Sequence, residues 1–251
     1  MLRSLLLVLV ACGARPNAAL HGEWSAPVAP FQITDHVYYV GAQHISSFVI
    51  TTSKGNVLID SGTREMERVI ANGLAQLHLA PPKTLLCTHA HYDHVGSHAA
   101  LERRFDAQVM VMRADAEAVR TGVDLSPLHD EGWEPVRVDR ILDDGDHLDM
   151  GDVSLDAIAA PGHTPGCTVW MIHAVKTIAI YGCARPNDSV RLTPALIADT
   201  RATFAKLRKL SPDIALITHP DDPAAELLHP TAWTTLLDEA ERDFATQLAK
   251  Q

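Results

Sequence analysis

The feature that most constrains this chain is a segment of six consecutive positions, His89 to His94, which contains three histidines and one aspartate. The apolar run Lys83 to Cys87 directly precedes it and predicts a buried strand. A strand that ends in a tight loop can direct all four side chains toward one point. Neutral imidazole binds zinc, copper, iron and nickel, and a single carboxylate beside it favours zinc or iron. The segment therefore predicts a metal site at the end of a strand.

The spacing within this segment divides the ligands into two neighbouring sets. His89 and His91 are two positions apart and share a face if the chain stays extended. Asp93 and His94 are predicted to lie at the start of a helix that continues over Gly96 to Phe105. A chance cluster of solvent-exposed histidines is the alternative, and the close packing of ligand types argues against it.

Length and composition favour one globular domain that acts on a small molecule. The chain has 251 residues, of which 47% are hydrophobic and 21% charged, so a sizeable core can form. No Pro-, Ser- or Gly-rich linker divides it. The net charge of -10, without a long basic run, argues against a nucleic acid partner and favours a small-molecule substrate and a monomer.

The first residues are expected to be a targeting signal, which divides the chain into a leader over 1–19 and a domain over 20–251. A basic start is followed by the short apolar run Leu5 to Ala11, as in bacterial secretory signals. This run is too short to span a bilayer. Cleavage after Ala18 or Ala19 would give a soluble periplasmic protein. The sequence before Cys12 also resembles a lipoprotein signal, in which Cys12 would carry the lipid anchor.

The order of predicted elements indicates an α/β protein. Short β-branched and aromatic runs such as Val37 to Val40 predict antiparallel strands, and 64–79 has apolar residues at helical spacing. A second strand-rich section covers 136–181, and helices are predicted over 194–210 and 231–249. Strands, helices, strands and helices in this order predict two β-sheets packed face to face with helices on both outer surfaces.

Two later histidines are further candidate ligands. His163 lies in Ala160-Pro161-Gly162-His163-Thr164-Pro165-Gly166, where glycine and proline fix the turn and hold the imidazole in one direction. His219 ends an apolar strand before Pro220. A turn histidine without a role, and a hydrogen-bonded histidine at a sheet edge, are the alternatives. The cluster at His89 to His94 favours the ligand interpretation for both.

These motifs together resemble a known family. His89-x-His91-x-Asp93-His94, Pro161-Gly162-His163-Thr164 and Thr218-His219-Pro220 are similar to the metallo-β-lactamase superfamily, over a region from about Trp24 to the end of the chain. Softer features, such as the pair Ser46-Ser47, resemble subclass B3. Enzymes of that subclass are secreted zinc hydrolases that open penicillins, cephalosporins and carbapenems and confer antibiotic resistance.

The resemblance implies an αββα sandwich, with two mixed β-sheets flanked by helices and the site at one edge. It also implies two zinc ions per chain and a hydroxide shared between them that attacks the β-lactam amide. Asp93 would orient that hydroxide. The implied ligands of the first zinc are His89, His91 and His163, and those of the second are Asp93, His94 and His219.

Three further residues are assigned supporting roles. Asp60 ends a strand that should approach the site, so we expect it to hydrogen-bond a ligating imidazole; an ordinary turn aspartate is the alternative. Relatives of subclass B3 carry two serines where this chain has Cys183-Ala184-Arg185-Pro186. We expect Arg185 to bind the substrate carboxylate as a bidentate fork and Cys183 to lie beside the second metal. The alternatives are a buried thiol and a solvent-exposed Arg185.

Two other functions remain open. One is a metallo-hydrolase of another cyclic amide, a lactone or a thioester that uses the same metals. Relatives of the glyoxalase II type carry a bridging aspartate near the position of Cys183, and its absence here disfavours lactones and thioesters. The other is a secreted zinc-binding protein without turnover.

The two leader hypotheses predict different products in the bacterial host. If Cys12 is lipidated, the protein partitions with membranes, and Cys12→Ala releases it or blocks processing. Fractionation followed by N-terminal sequencing checks this. A soluble wild-type protein whose first residue follows Ala18 or Ala19 would contradict lipidation.

Overall fold

The structure, a computed structural model, describes residues 22–124, 132–182 and 185–251. The predicted leader with Cys12, residues 125–131 and Cys183 lie outside these described residues. Within them, no helix combines the length and the apolar character needed to cross a membrane. Cys87 and Cys167 are buried free thiols.

The first sheet contains seven strands that lie side by side in the order of the sequence. Strands β1 to β4 pair antiparallel through short turns. Strands β4 to β7 pair parallel, which requires crossover connections. The strands are β1 (Phe31–Gln32), β2 (Val37–Tyr39), β3 (Phe48–Ile50), β4 (Val57–Ile59), β5 (Thr84–Leu86), β6 (Gln108–Met112) and β7 (Arg140–Leu142).

The second sheet has five strands in the order β12-β11-β10-β9-β8. Its members are antiparallel except for β11 and β12, which are parallel and joined through a helix. Both sheets are therefore mixed. The strands are β8 (Asp146–Asp149), β9 (Ser154–Ala159), β10 (Thr168–His173), β11 (Thr177–Tyr181) and β12 (Ile214–Ile217).

Seven α-helices lie wholly within the described residues, and a 3-10 turn, Arg113–Asp115, follows β6. Met66 and Ile70 of the first helix pack against the outer face of the first sheet. Phe204 and Phe244, from two later helices, pack against the outer face of the second. The helices are α1 (Met66–Gln76), α2 (Tyr92–Val95), α3 (His98–Phe105), α4 (Ala116–Thr121), α5 (Pro194–Leu207), α6 (Pro223–Leu228) and α7 (Trp233–Ala249).

Alternating side chains join these layers. In β4, Val57 and Ile59 lie in the core between the sheets, whereas Leu58 points to the helices. In β10, Trp170 belongs to the inter-sheet core and Val169 to the outer one. This period of two is the pattern of strands buried on both faces. The predicted αββα sandwich of two mixed sheets is confirmed.

Some element boundaries differ from the prediction. Asp93 and His94 do not begin the helix that ends at Phe105, because α2 is a separate turn that stops before Gly96. A Cβ at Gly96 would lie 2.4 Å from the carbonyl oxygen of Tyr92 and 2.8 Å from the amide nitrogen of Arg64. Only glycine fits at this position, because the loop at Arg64 packs directly against the backbone between α2 and α3. Strand β1 and helix α6 were missed.

Candidate metal centre

The candidate ligands come from strand ends of both sheets. In the first sheet, Asp60 follows β4 and His89 lies three residues after the end of β5. Because β4 and β5 are parallel, both residues reach the same edge. In the second sheet, His163 lies in the turn between β9 and β10, and His219 follows β12. The sandwich therefore gathers segments that are distant in sequence at one edge.

Hydrogen bonds between the sheets fix this edge. The indole Nε1 of Trp170 donates to the carbonyl of Cys87 at 2.9 Å. The amide of Thr168 donates to the carbonyl of Thr88 at 2.7 Å, and the amide of Ser46 donates to that of Thr218 at 2.9 Å. The backbone on either side of the site is thus held to the opposite sheet.

The first three histidines form one group. His91 Nδ1 and His163 Nε2 are 3.0 Å apart, and the ring of His89 lies 4.7 Å from that of His91 and 4.8 Å from that of His163, centre to centre. The potential ligand atoms of this group lie within 4.8 Å of one another. We call His89, His91 and His163 the first triad.

Asp93, His94 and His219 form a second group of the same kind, which we call the second triad. His94 Nε2 and His219 Nε2 are 3.0 Å apart. Asp93 Oδ2 is 3.6 Å from the former and 3.5 Å from the latter. The two triads adjoin, since the ring centres of His89 and His94 are 3.9 Å apart.

The outward nitrogens of the second triad determine which tautomer is present. His94 Nδ1 lies 2.9 Å from Asp60 Oδ2, and His219 Nδ1 lies 3.1 Å from the carbonyl oxygen of His44. Both partners accept hydrogen bonds only, so each Nδ1 carries the proton and each Nε2 presents a lone pair. Two lone pairs facing each other at 3.0 Å repel unless a cation lies between them. This donor set fits a divalent metal ion.

Asp60 connects the two triads. Its buried carboxylate accepts from the Thr88 amide at 2.6 Å and from the Thr88 hydroxyl at 2.8 Å, in addition to His94. Because the Thr88 hydroxyl donates to Asp60, it accepts from His89 Nδ1 at 3.1 Å, which leaves His89 Nε2 for a metal. One carboxylate thus orients an imidazole in each triad. This is the contact anticipated from the sequence, and its importance for metal binding stays a prediction.

Burial and neighbouring charges set the protonation of the ligands. Burial lowers the pKa of His89 and His91 well below the usual value, and the neighbouring imidazoles lower it further. Burial alone would raise the pKa of Asp93, but His94, His219 and His91 together bring it below its ordinary value. Neutral imidazoles and an ionised carboxylate are the forms that bind metals.

Sequence reasoning missed several residues that support the site. Asp115 accepts hydrogen bonds from both loops that carry the first triad. Asp124 Oδ1 lies 3.8 Å from His91 Nε2, and the His44 carbonyl orients His219. None of these residues belongs to a recognisable motif. Only Asp124 had a signal, since it begins a stretch over 124–135 that is rich in turn-forming residues.

Two carboxylates of the chain itself lie near the guanidinium of Arg185. Its guanidinium donates to Asp188 Oδ1 at 2.7 Å, and Nε lies 4.0 Å from Asp243 Oδ2. A solvent-exposed Arg185 is therefore wrong, because the side chain is only 8% exposed. Its predicted contact with a substrate carboxylate stays a prediction, and Cys183 lies outside the described residues.

Comparison with known proteins defines the class. Residues 40–219, more than half of the chain, match the family model described as the metallo-beta-lactamase superfamily. The chain belongs to this superfamily, and the matched region contains both triads.

Solved structures of similar proteins cover nearly the whole chain. BJP-1, a subclass B3 metallo-beta-lactamase of Bradyrhizobium japonicum, is 30% identical, with 91% of this chain and 96% of that chain covered and a TM-score of 0.80. A Cronobacter sakazakii metallo-beta-lactamase with a HARLDQ motif is 29% identical, with 92% and 98% covered and a TM-score of 0.85. The resemblance to subclass B3 is confirmed at the level of structure.

Curated relatives point to a broader group of hydrolases. A hydroxyacylglutathione hydrolase of Aeromonas hydrophila is 32% identical over 167 residues, which are 64% of this chain and 54% of that protein. The human acyl-coenzyme A thioesterase MBLAC2 is 29% identical over 158 residues, which are 51% and 54%. The chain spans about half the length of these two relatives. Fold, site and relatives together support a metallo-hydrolase.

Replacing Asp60 by asparagine tests the tautomer argument. An amide offers one acceptor oxygen and one NH₂ donor. If the NH₂ faces His94 Nδ1, it favours the tautomer whose Nε2 carries a proton and cannot bind a metal. We expect Asp60→Asn to lower zinc affinity by about 10- to 100-fold, measured by competition with a chromophoric chelator. Asp213→Asn is the control, because Asp213 also accepts from an amide and a hydroxyl, those of Thr177, at the opposite end of the second sheet. Unchanged affinity in Asp60→Asn would refute the argument.

The metal-free protein should lose stability as the pH falls from about 6.5 toward 4. Burial lowers the pKa of His98 to about 4, against roughly 6.5 in the unfolded chain. Above pH 6.5 the group is neutral in both states. Below that pH the unfolded chain takes up a proton that the folded protein does not, so folding loses on the order of 3 kcal/mol by pH 4.

His98→Gln should therefore flatten this pH dependence, whereas His229→Gln, at an exposed position, should leave it unchanged. Urea unfolding of the metal-free variants at several pH values measures the slope. Equal slopes for His98→Gln and the wild type would contradict the assignment.

Proposed function

We propose that this protein hydrolyses the amide bond of β-lactam antibiotics, with two zinc ions held by the two triads. The observation that carries the proposal is the near-complete mutual coverage with BJP-1, 91% of this chain and 96% of that enzyme at 30% identity. The αββα sandwich brings both triads together at one edge. The proposal extends to resistance to penicillins, cephalosporins and carbapenems and to a periplasmic location.

The chain's own residues have definite roles in this proposal. The first triad would hold one ion through His89 Nε2, His91 Nδ1 and His163 Nε2, and a set of three imidazoles is typical of catalytic zinc sites. The second triad holds the other through Asp93, His94 and His219. Bound zinc supplies Lewis acidity toward a carbonyl and lowers the pKa of water toward about 7. Asp93, ionised and buried beside His94 and His219, is placed to accept a hydrogen bond from that water.

Recognition of the substrate carboxylate is a separate part of the proposal. Arg185 would bind it in competition with Asp188, whose side chain is 53% exposed. An exposed partner is displaced at lower cost than a buried one, because water solvates it after release. This requirement makes the role of Arg185 testable independently of the metals.

Thioester hydrolysis is the second candidate, because the curated relatives include hydroxyacylglutathione hydrolases and an acyl-coenzyme A thioesterase. Zinc held by the same residues would also supply Lewis acidity toward an acyclic thioester carbonyl. Selection between the two depends on the shape and polarity of the pocket and on the bridging aspartate of the glyoxalase II type, which this chain lacks near Cys183.

A substrate panel with the zinc-loaded protein distinguishes the candidates. We expect turnover of a penicillin, a cephalosporin and a carbapenem, loss of that turnover by several orders of magnitude in His163→Ala, and resistance to serine-directed inhibitors. Turnover of S-acyl glutathione or acyl-coenzyme A alone would replace the proposal by thioester hydrolysis. Zinc binding without any turnover would indicate a binding protein.

Arg185→Ala adds a test of recognition within the same panel. Loss of a contact made equally in the ground and transition states raises KM and leaves kcat nearly unchanged. An unchanged KM for β-lactams would remove Arg185 from the substrate site.

A further inference from the structure

We propose that Asp115 is a positioning residue that ties together the two loops carrying the first triad and thereby sets the affinity of that triad for its metal ion. The inference rests on the metal centre of the proposed function, although not on which substrate is hydrolysed. Asp115 lies outside every motif described above, and it contacts neither a substrate position nor a ligand atom directly.

The carboxylate of Asp115 receives three hydrogen bonds from two different loops. Oδ2 accepts from the Ala90 amide at 2.9 Å and from the Thr164 hydroxyl at 2.7 Å. Oδ1 accepts from the Gly166 amide at 2.7 Å. The residue is 1% exposed, so water does not compete for these bonds. A third element, the 3-10 turn after β6, thus fixes the distance between the two loops.

Two of the three bonded residues are immediate chain neighbours of the imidazoles. Ala90 lies between His89 and His91 in the chain, and Thr164 directly follows His163. A shift of either residue therefore moves at least one ligand nitrogen. In functional sites, such supporting contacts hold the ligand atoms within about 0.5 Å of the productive geometry.

Glycine at position 166 is required by the same contact. A Cβ at Gly166 would lie 2.5 Å from Cγ and 2.6 Å from Cβ of Asp115, as well as 2.6 Å from its amide nitrogen. These distances are too short for any side chain. The glycine of the Pro165-Gly166 turn is thus explained by the approach of Asp115.

The second triad is supported by different residues. His94 is oriented by Asp60 at 2.9 Å and His219 by the carbonyl of His44 at 3.1 Å. None of the three donors to Asp115 belongs to either of these hydrogen bonds. A defect at Asp115 should therefore weaken the first triad selectively, which general destabilisation of the fold would not do.

The test replaces Asp115 by asparagine, which keeps the shape and removes one of the two acceptor oxygens. Both zinc dissociation constants are measured by competition with a chromophoric chelator, well below the unfolding temperature of each variant. His163→Ala and His219→Ala assign the constants to the first and second triads. The cobalt(II)-substituted protein gives a visible spectrum as a second readout.

We expect Asp115→Asn to weaken the first site by about 10- to 100-fold, to alter its cobalt spectrum, and to leave the second constant within about twofold. Asp213→Asn, the matched control at the far end of the second sheet, should leave both constants unchanged. A lower unfolding temperature with both constants unchanged, or equal weakening of both sites, would overturn the inference.

If Asp115→Asn does not fold, two variants of Thr164 test the same inference. Thr164→Val removes one donor with little change of shape and should weaken the first site, whereas Thr164→Ser keeps the hydroxyl and should retain wild-type affinity. Equal affinities in these two variants would count against the inference. Failure of the proposed function is distinguishable, because a wild type that binds two zinc ions without opening β-lactams leaves these affinity measurements intact.

Discussion

The interaction on which the rest of the site depends is the approach of imidazole nitrogens that both carry lone pairs. His94 Nε2 faces His219 Nε2 at 3.0 Å, and both present lone pairs because their Nδ1 atoms carry the protons. Two lone pairs at this distance repel unless a cation lies between them. The folded protein therefore favours a bound cation at this edge. Because a cation binds the folded state preferentially, its binding stabilises that state by mass action.

The αββα sandwich provides the means to impose this arrangement. Each triad combines residues from both sheets, so neither sheet alone could form a complete set. The hydrogen bond from Trp170 to the Cys87 carbonyl, and that from Thr168 to the Thr88 carbonyl, lock the sheets together directly beside His89. Asp60 then determines the tautomer of His94 directly and that of His89 through Thr88. Fold, hydrogen-bond network and ligand set are thus consistent with one another, as expected of a preorganised site.

The sequence predicted most of this because the informative signals are local. The strands carry β-branched and aromatic runs, and the ligands lie within short motifs at their ends. Supporting residues were missed since their partners are distant in sequence: Asp115 bonds residues 25 and 51 positions away, and Arg185 Nε lies 4.0 Å from Asp243 in the closing helix. Helix α6 had an overlooked signal, because Asp222 caps it and Pro223 begins it.

Each of the two triads is expected to bind one metal ion. Anomalous diffraction at the zinc edge, from crystals of the zinc-loaded protein, locates these ions directly. We expect two peaks per chain, one surrounded by His89, His91 and His163 and the other by Asp93, His94 and His219. Absence of a peak between the members of either triad, or zinc bound by other residues instead, would contradict it.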